Sequence, residues 1–302
     1  MPVISAPAKR LSGGVRVGHW TAPSGAGGCT VVLPPAGNVT SYDLRGSSPG
    51  SREIATLDPD RQRTEVHGIL LTGGSAFGLA AADGVVRWLE EHDIGFKTPI
   101  ATIPIVPAAV IFDLAAGDPA SRPGPDAGYA ACENAVEEPV ATGRVGAGAG
   151  ATVGKWAGRE YLVPGGLGIA SARDGALEVH ALAVVNAFGD VVGEDGRVIA
   201  GSSSPERQMR PPPAAPRVGW NTVLAIVTTI AALGRGDARF LAARASDGIT
   251  QAIRPAHTRY DGDVAFAVTI PGGEAGAADL DSLAVLTTAA TAEAVRSAVV
   301  TA

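Results

Sequence analysis

A proline-rich segment that runs directly into an apolar strand pattern limits the possible folds of this 302-residue chain more than any other feature. Within residues 202–219 lie Pro205, Pro211, Pro212, Pro213 and Pro216. Proline cannot donate to a sheet ladder, and a connection this long is uncommon inside a compact domain unless it is functional or disordered. The next residues, NTVLAIVTTIA, have the continuous apolar character of a buried strand. The sequence therefore predicts a long loop that ends at a buried strand beginning with Thr222.

Strand and helix patterns cover the rest of the chain. Strands are predicted within residues 14–45 and 99–113 and within HGILLTGG, GGLGIASA, LEVHALAVVNAFGDVV, RVIAG and VAFAVTIP. Helices are predicted for residues 75–91 with Ser75 as the N-cap, for 126–136, from the N-cap Asp237 to about Ile253, and for 281–300. Forty glycines and an aromatic content of 5% favour stacked layers that pack closely through small residues.

Charge, cysteine and histidine content argue against several classes of function. The net charge is −6 and the pI is about 5.4, and no stretch clusters Lys and Arg as a nucleic-acid-binding surface does. The two cysteines form no metal-binding pair, and the five histidines lack HExxH spacing. The N-terminus lacks a signal-peptide core, and the longest apolar run, Val223 to Leu233, is far shorter than a membrane span. We expect a cytoplasmic protein without a metal, a cofactor, or a nucleic-acid or membrane partner.

The dipeptide Asn221-Thr222, where the loop meets the strand, can support a specific chemistry. An N-terminal threonine carries a hydroxyl nucleophile together with its own amine base, and an amine pKa of about 7.7–8.0 suits general base catalysis near neutral pH. Before cleavage, the Thr222 hydroxyl can attack the Asn221 carbonyl. An N→O acyl shift followed by hydrolysis would then release chains 1–221 and 222–302. Threonine is also a favoured strand residue, so the dipeptide alone leaves an ordinary strand start as the alternative.

Six ordered blocks of sequence resemble the DmpA-like family of self-processing aminopeptidases and amidases, the P1 or S58 peptidases, which includes nylon-oligomer hydrolases. The blocks are GILLTGGSAFGLAAADGVVRWLEE, VPAAVIFDL, RVGAGAGATVGKW, ALAVVNAFGDVV, WNTVLAIVTT and IRPAHTRYDGDVAFAV. The resemblance implies an α+β fold, a four-layer αββα sandwich of the N-terminal-nucleophile type. It also implies one domain over residues 1–302, cleaved into 1–221 and 222–302, and a homo-oligomer, often a tetramer.

The resemblance further assigns roles to individual residues. It makes Thr222 the nucleophile and makes Asp261 and Asp263 the carboxylates that orient the nucleophile and its amine. It also places Lys155 and Asn186 in the site. There Asn186 can donate to a developing oxyanion, a contact often worth about 3 kcal/mol, and Lys155 can stabilise the oxyanion or hydrogen-bond the hydroxyl. Without the resemblance, the two aspartates would be interpreted as a hairpin turn, Asn186 as a turn residue and Lys155 as a surface lysine.

Phe112 and Ser75 are the predicted substrate-binding residues. Relatives commonly have a tyrosine where Phe112 stands, and because Phe112 cannot donate a hydrogen bond, the substrate is anchored differently or that hydroxyl is dispensable. The segment GGSAFG lacks the GxGxxG and Walker patterns, and Ser75 lacks the GxSxG context of a hydrolase nucleophile. We interpret GGSAFG as a close-packed turn lining the cleft, and GAGAGA as a loop that shapes the pocket beside Thr222.

The resemblance favours hydrolysis of amide or peptide bonds in small substrates through an acyl-enzyme at Thr222. Candidate substrates are short peptides or amides with a free amino end, and ω-amino acid oligomers. Two alternatives stay open. An acyltransferase of the ornithine acetyltransferase type would pass the acyl group to an amine, and an unprocessed scaffold would have no catalytic activity.

Overall fold

The computed structural model describes residues 4–62, 65–205, 221–270, 272 and 279–300. Its strands, in chain order, are β1 (Ile4–Pro7), β2 (Arg16–Thr21), β3 (Gly28–Leu33), β4 (Val39–Leu44), β5 (Ser51–Arg52), β6 (Ile69–Thr72), β7 (Phe96–Lys97), β8 (Thr102–Ile103), β9 (Ala108–Val110), β10 (Thr152–Val153), β11 (Val163–Pro164), β12 (Gly166–Asp174), β13 (Leu177–Asn186), β14 (Asp190–Val192), β15 (Val198–Ala200), β16 (Thr222–Thr229), β17 (Ile253–Arg254) and β18 (Val264–Thr269). Its α-helices are α1 (Ala81–Glu91), α2 (Pro125–Glu133), α3 (Arg235–Ala252) and α4 (Leu280–Val300). Most of the predicted proline-rich loop, residues 206–220, lies outside the described residues.

Two sheets form the centre of the protein. The larger has the strand order β1-β12-β13-β16-β18-β4, and the smaller has the order β2-β3-β6-β9-β5. Neighbours in the larger sheet are antiparallel except β16 and β18. In the smaller sheet only β6 and β9 run parallel among the described pairs. Strand β16, which begins at Thr222 as predicted, therefore lies inside the larger sheet with a neighbour on each side.

Helices cover the outer face of each sheet, so that four layers result. Helices α3 and α4 pack on the larger sheet, and α1 and α2 pack on the smaller one. A third apolar cluster joins the inner faces of the two sheets. This arrangement confirms the predicted α+β fold with αββα layers.

Alternation along the strands separates the two faces of the larger sheet. In β16, Leu224 and Ile226 belong to the cluster between the sheets, whereas Val223, Ala225 and Val227 face the helices. Successive side chains of a strand point to opposite faces, so the continuous apolar run fits a strand buried on both sides. The large side chains fill the space between sheets, and the small ones let the helices approach closely.

Glycine allows two of the closest approaches between layers. A Cβ on Gly168 of β12 would lie 2.2 Å from the Ala294 carbonyl oxygen in α4, and one on Gly84 of α1 would lie 1.7 Å from the Pro125 carbonyl oxygen in α2. Neither position can take a side chain without moving backbone. The glycine content noted in the sequence therefore has a packing cause.

Several predicted helix starts were wrong. Ser75 is not an N-cap: residues Ser75–Ala80 form a 3₁₀ turn whose cap is Gly74, without a side-chain cap bond, and α1 begins only at Ala81. Asp237 lies in the first turn of α3, and the cap there is Gly234. Both caps are glycines, so neither position has a side chain that could cap the first turn.

Two further details differ from the prediction. Within residues 99–113 the chain forms only the short strands β8 and β9. Phe77, which lies within the predicted helix 75–91, is in the 3₁₀ turn that precedes α1 and is 56% exposed. Helix α4 has the length and apolar composition of a membrane span, yet most of it is buried within the protein, as in the core helix of a globular domain.

Candidate active site

The turn before β18 lies alongside the start of β16 in parallel register. Asn221 and Asp261 form a parallel bridge, and the Gly262 N–H donates to the Asn221 carbonyl oxygen at 2.9 Å. On the other side, Asn186 at the end of β13 pairs with Thr222. The Asn221–Thr222 peptide bond is therefore held between the end of β13 and the Asp-Gly-Asp turn. This turn is not the tip of a hairpin, because β18 pairs with β16 and β4.

The Thr222 hydroxyl contacts the peptide bond that precedes it. Its Oγ1 donates to the Asn221 carbonyl oxygen at 2.5 Å, and the residue is 5% exposed. Gly262 closes over this hydroxyl: a Cβ there would lie 2.9 Å from Thr222 Oγ1 and 2.6 Å from the Ser48 carbonyl oxygen. The site thus brings together a hydroxyl, a carbonyl and a backbone donor, with no space for a side chain at Gly262.

Both aspartates of the turn are buried and accept hydrogen bonds from neighbouring residues. Asp261 accepts from the N–H and the hydroxyl of Thr258, at 2.9 and 2.5 Å, and from the Phe188 N–H at 3.4 Å. Asp263 accepts from the Val223 N–H at 2.6 Å and from Nδ1 of His257 at 2.7 Å. The carboxylates therefore flank Thr222 by fixing the backbone around it, and in the uncut chain the threonine hydroxyl points to the Asn221 carbonyl.

Burial and mutual repulsion set the protonation of this carboxylate pair. Desolvation, and then the charge of Asp263, raise the pKa of Asp261 to about 6, against the hydrogen bonds from Thr258 and Phe188. A carboxyl with such a pKa is mostly ionised at neutral pH and can still accept a proton there. Asp261 is therefore an acidic group that titrates near neutral pH.

Lys155 and Asn186 form one hydrogen-bonded unit beside the strand ends. The Lys155 ammonium donates to the side-chain oxygen of Asn186 at 2.7 Å and to its backbone oxygen at 3.0 Å. The Asn186 amide nitrogen donates to the Phe112 carbonyl at 3.2 Å. Asn186 is completely buried, so it is a positioned strand-end residue and not an exposed turn.

The surroundings of Lys155 bring its titration close to neutral pH. Desolvation lowers the pKa of Lys155 to about 7, although the charges of Asp261 and Asp113 oppose this shift. An amine with this pKa exists in both protonation states near pH 7. Lys155 is therefore able to supply a positive charge or to exchange a proton next to Asn186.

The predicted substrate-binding residues lie on the neighbouring sheet. The Ser75 N–H donates to the Ile111 carbonyl at 3.0 Å, and Phe112 follows directly, with its carbonyl bonded to Asn186. Both side chains are half-buried. Ser75 and Phe112 are thus brought to the Asn186 side of the site by a backbone contact that spacing alone does not reveal, and their part in substrate binding stays a prediction.

Three residues with clear positions in the site were not selected from the sequence. Gly262 holds the Asn221 carbonyl, His257 holds Asp263, and Asp113 lies near enough to Lys155 to influence its charge. Burial raises the pKa of Asp113, whose carboxylate packs against two glycine loops, since a Cβ on Gly73 or Gly150 would lie within 2.5 Å of its Oδ2. The available signal was position: all three lie inside blocks that carry the family resemblance.

Within the described part of the chain, no group of three or more His, Cys, Asp or Glu side chains is arranged to hold a metal ion. Two carboxylates, a lysine and a histidine lie around Thr222. The histidine bonds to one carboxylate, and the lysine and the other carboxylate bond to polar groups next to them. The site brings together a hydroxyl, ionisable groups and a backbone N–H donor, an arrangement that can support attack by a hydroxyl nucleophile with a donor for a developing oxyanion.

Solved structures with the same fold include two aminopeptidases. A Burkholderia sp. beta-aminopeptidase superimposes with a TM-score of 0.75 at 21% identity, covering 99% of this chain and 88% of the other. The L-aminopeptidase D-Ala-esterase/amidase of Ochrobactrum anthropi, described as a variant of the Ntn hydrolase fold, has a TM-score of 0.77 at 18% identity over the same shares. The layered architecture is therefore that of Ntn hydrolases.

Sequence relatives extend the comparison beyond the fold. An uncharacterized aminopeptidase of Mycobacterium tuberculosis is 44% identical over 280 residues, covering 85% of this chain and 79% of the relative. A 6-aminohexanoate-oligomer endohydrolase of Paenarthrobacter ureafaciens is 32% identical over 271 residues, covering 85% of this chain and 73% of the relative. These relatives, and a match of residues 13–302 to the sequence profile of the family, place the chain among hydrolases of amide bonds. The chain belongs to Peptidase family S58.

Proposed function

We propose that this protein cuts itself between Asn221 and Thr222 and then uses Thr222 as an N-terminal nucleophile to hydrolyse amide bonds in small substrates. The observation that carries the proposal is the contact of the Thr222 hydroxyl with the Asn221 carbonyl, 2.5 Å between oxygens, beneath a Gly262 N–H donor. A nucleophile, its electrophile and an oxyanion donor are thus adjacent before any bond is broken.

The proposed cut begins with attack of Thr222 Oγ1 on the Asn221 carbonyl carbon. The carbonyl oxygen gains negative charge, which the Gly262 N–H stabilises because it already donates to that oxygen. Ionised Asp261 is a suitable acceptor for the hydroxyl proton, given its raised pKa. The C–N bond then breaks, the proton passes to the Thr222 nitrogen, and Asn221 is left as an ester on the threonine. Water hydrolyses the ester to give the Asn221 carboxylate and a free Thr222.

The second reaction repeats this chemistry on a substrate. The Thr222 hydroxyl attacks the substrate carbonyl, its proton passes to the new α-amine, and the leaving amine departs with a proton. Water then attacks the acyl-threonine ester and releases the acid. Lys155 and Asn186 lie at the strand end facing Thr222, where a positive charge and an amide can stabilise the substrate oxyanion.

The substrate class is proposed from the relatives together with the site. Aminopeptidases and 6-aminohexanoate-oligomer endohydrolases are among the proteins similar to this chain. Phe112, half-buried next to Asn186, offers an apolar surface without a hydroxyl, which suits the alkyl chain of an amino acid amide or an ω-amino acid oligomer. Both substrate types present an amide next to an aliphatic segment.

Intact-mass measurement tests the proposal. The wild-type chain should give two masses corresponding to residues 1–221 and 222–302. Thr222→Ala should give one uncut chain without activity, and Thr222→Ser, which keeps a hydroxyl, should still be cut. An uncut wild-type chain, after long incubation near neutral pH, would remove the self-processing step and favour the scaffold alternative.

Product analysis separates hydrolysis from acyl transfer. The cut enzyme would be given an amino acid amide or a 6-aminohexanoate oligomer with and without an added amine acceptor. Hydrolysis predicts free acid as the main product under both conditions. A product in which the acyl group is carried mainly by the added amine would favour the acyltransferase alternative.

A further inference from the structure

His257 contacts one carboxylate oxygen of Asp263, and the other oxygen accepts from the Val223 N–H next to Thr222. Its Nδ1 is 2.7 Å from Asp263 Oδ2, and its Nε2 is 3.0 Å from the Ser246 carbonyl oxygen in α3. Its backbone N–H also reaches Asp263 Oδ2 at 3.2 Å. The side chain is 14% exposed and that of Asp263 only 2%. His257 therefore connects the active-site turn to a buried position of helix α3.

The two partners of the imidazole are both hydrogen-bond acceptors. A backbone carbonyl cannot donate, and an ionised carboxylate cannot either. A neutral imidazole has one N–H and one bare nitrogen, so it can satisfy only one of these acceptors. Both contacts are satisfied at once only by the doubly protonated imidazolium, which makes His257 and Asp263 a buried ion pair.

The charges around His257 agree with this protonation state. Desolvation by itself lowers the pKa of His257, and Arg45 lowers it further, but the hydrogen bond and charge of Asp263 together with the Ser246 carbonyl outweigh them. The result is a pKa above the ordinary value for histidine. Arg45 is itself held by Asp43 and Asp247, which reduces its effect on the imidazole.

The backbone of His257 shows that the residue is held in place by its contacts. Its φ is 54°, in the left-handed region that non-glycine residues seldom occupy. This conformation directs both the backbone N–H and the ring of one residue at the same carboxylate oxygen. Asp263 then has its other oxygen left for the Val223 N–H, 2.6 Å away and one residue after the nucleophile.

We propose that His257 is a positioning residue of the Thr222 site, which as an imidazolium keeps Asp263 ionised and in one orientation, so that Asp263 holds Val223 and the adjacent Thr222 in register. The inference rests on the proposed function, because it assigns His257 a task in the reaction of Thr222. It also assigns the two carboxylates different tasks. Asp263 is neutralised and fixed by His257, and Asp261 is left as the one that exchanges protons.

The same chain offers a matched control histidine. His180, in β13, places Nδ1 2.9 Å from the Arg10 carbonyl oxygen and Nε2 3.3 Å from Glu178 Oε2. It therefore has the same two kinds of partner as His257. It lies six positions from Asn186 along one strand, about 20 Å at 3.4 Å per residue. A change at His180 alters a buried histidine whose carboxylate partner, Glu178, is 42% exposed, without touching the Thr222 site.

His257→Asn is the informative substitution. Asparagine tolerates the left-handed backbone better than other residues with a side-chain donor and can still donate one hydrogen bond, but it carries no charge. Removing a positive charge beside the carboxylate pair makes ionisation of Asp261 less favourable and raises its pKa. We expect self-cleavage, followed by intact mass on freshly synthesised chain, to slow by about tenfold or more. We also expect the acid limb of its pH profile to move to higher pH.

His180→Asn should leave both the rate and the pH profile as in the wild type. A role of His257 in folding alone would lower the yield of folded protein without moving the acid limb. Wild-type rate and profile in folded His257→Asn would overturn the inference, with the proposed function intact.

Nitrogen NMR of the imidazole in the uncut Thr222→Ala chain gives a readout independent of activity. We expect both ring nitrogens of His257 to be protonated at neutral pH. A neutral His257 there would overturn the inference even if Thr222 were shown to be the nucleophile. Conversely, an uncut wild-type chain with a charged His257 would remove the proposed function and, with it, the positioning role, while showing that the ion pair itself exists.

Discussion

The two ends of the β13–β16 strand pair bury similar residues and differ in what those residues can do. At one end Asn186 pairs with Thr222, and at the other His180 pairs with Thr228. All four are at most 5% exposed. At the Thr228 end, Ser12 donates its N–H to the Thr228 hydroxyl at 2.9 Å and its own hydroxyl to the Thr228 carbonyl at 3.1 Å. Those groups satisfy each other's hydrogen bonds, although Ser12 and Thr228 are 216 positions apart in the chain.

At the Thr222 end, in contrast, two loops place ionisable side chains beside the buried threonine. Asp261 and Lys155 have pKa values moved to about 6 and about 7. The strands supply the same kind of buried threonine at both ends, so the strands themselves do not create the chemistry. The difference teaches that reactivity here depends on the Asp-Gly-Asp turn and on the loop that carries Lys155.

The largest expected effect comes from replacing each of the two threonines, Thr222 and Thr228, by alanine in turn. Thr222→Ala should abolish self-cleavage and all hydrolysis, because it removes the hydroxyl that lies against the Asn221 carbonyl. Loss of an essential nucleophile commonly lowers kcat by about 10⁶-fold. Thr228→Ala should be cut and active at wild-type rates. Intact mass and amide hydrolysis measure both, and equal loss in the two variants would mean that the two ends do not differ as described.

Asp263→Asn should have the next largest effect. Asp263 accepts from His257 with one oxygen and from the Val223 N–H with the other, whereas an asparagine has only one oxygen that can accept. One of these two hydrogen bonds is therefore lost at the start of β16. Self-cleavage should slow by about a hundredfold, as for loss of a charged hydrogen bond. Glu178→Gln, which alters the histidine–carboxylate pair of the other end, is the matched control and should be cut normally. A normal rate in Asp263→Asn would contradict the arrangement.

The pH dependence sharpens the comparison further. Asp261 must ionise to accept a proton, so the rate should rise through a pKa of about 6, and Lys155 should lose its positive charge as the pH passes about 7. The self-cleavage rate should therefore rise across the acid limb. Hydrolysis of an amide substrate, in which Lys155 is proposed to stabilise the oxyanion, should in addition fall on an alkaline limb near pH 7. Lys155→Arg, which stays charged, should move the alkaline limb to higher pH and leave the acid limb in place. An unchanged alkaline limb would show that Lys155 does not produce it.

The smallest expected effect concerns stability at the inactive end. Thr228→Val keeps the shape of the side chain and removes the acceptor of the Ser12 N–H. We expect the free energy of unfolding to fall by about 1–2 kcal/mol, the cost of a buried donor without a partner. Denaturant titration in the uncut Thr222→Ala background measures this on a single chain. A loss of self-cleavage in Thr228→Val alone would show coupling between the two ends.

The fold and the start of strand β16 could be predicted from the sequence for different reasons. Strand β16 begins at Thr222 because the apolar pattern begins there, a purely local signal. The layered fold followed from the family resemblance. The pairing of Asn221 with Asp261, in contrast, is a register between segments forty residues apart, and no local pattern encodes a register.

The contacts of His257 show why the remaining residues of the site could not be predicted from the sequence. Its protonation state depends on having two acceptors at once, and one of them, the Ser246 carbonyl, belongs to a helix. Ser75 failed as an N-cap for a related reason: its own φ of 53° and the left-handed Gly74 before it are consequences of the turn, which spacing does not specify. Residue type indicated what chemistry was available, and tertiary structure decided which groups meet.

The position of β16 inside the larger sheet has a consequence for how the cut protein would unfold and refold. After the proposed cut, residues 222–302 would carry β16, β18, α3 and α4, paired on one side to β13 and on the other to β4. The cut would therefore release no part of the folded body. It would, however, turn refolding into an encounter between two molecules, so recovery after denaturation would depend on protein concentration. A chain that folds once as a single molecule would be protected afterwards chiefly by slow unfolding.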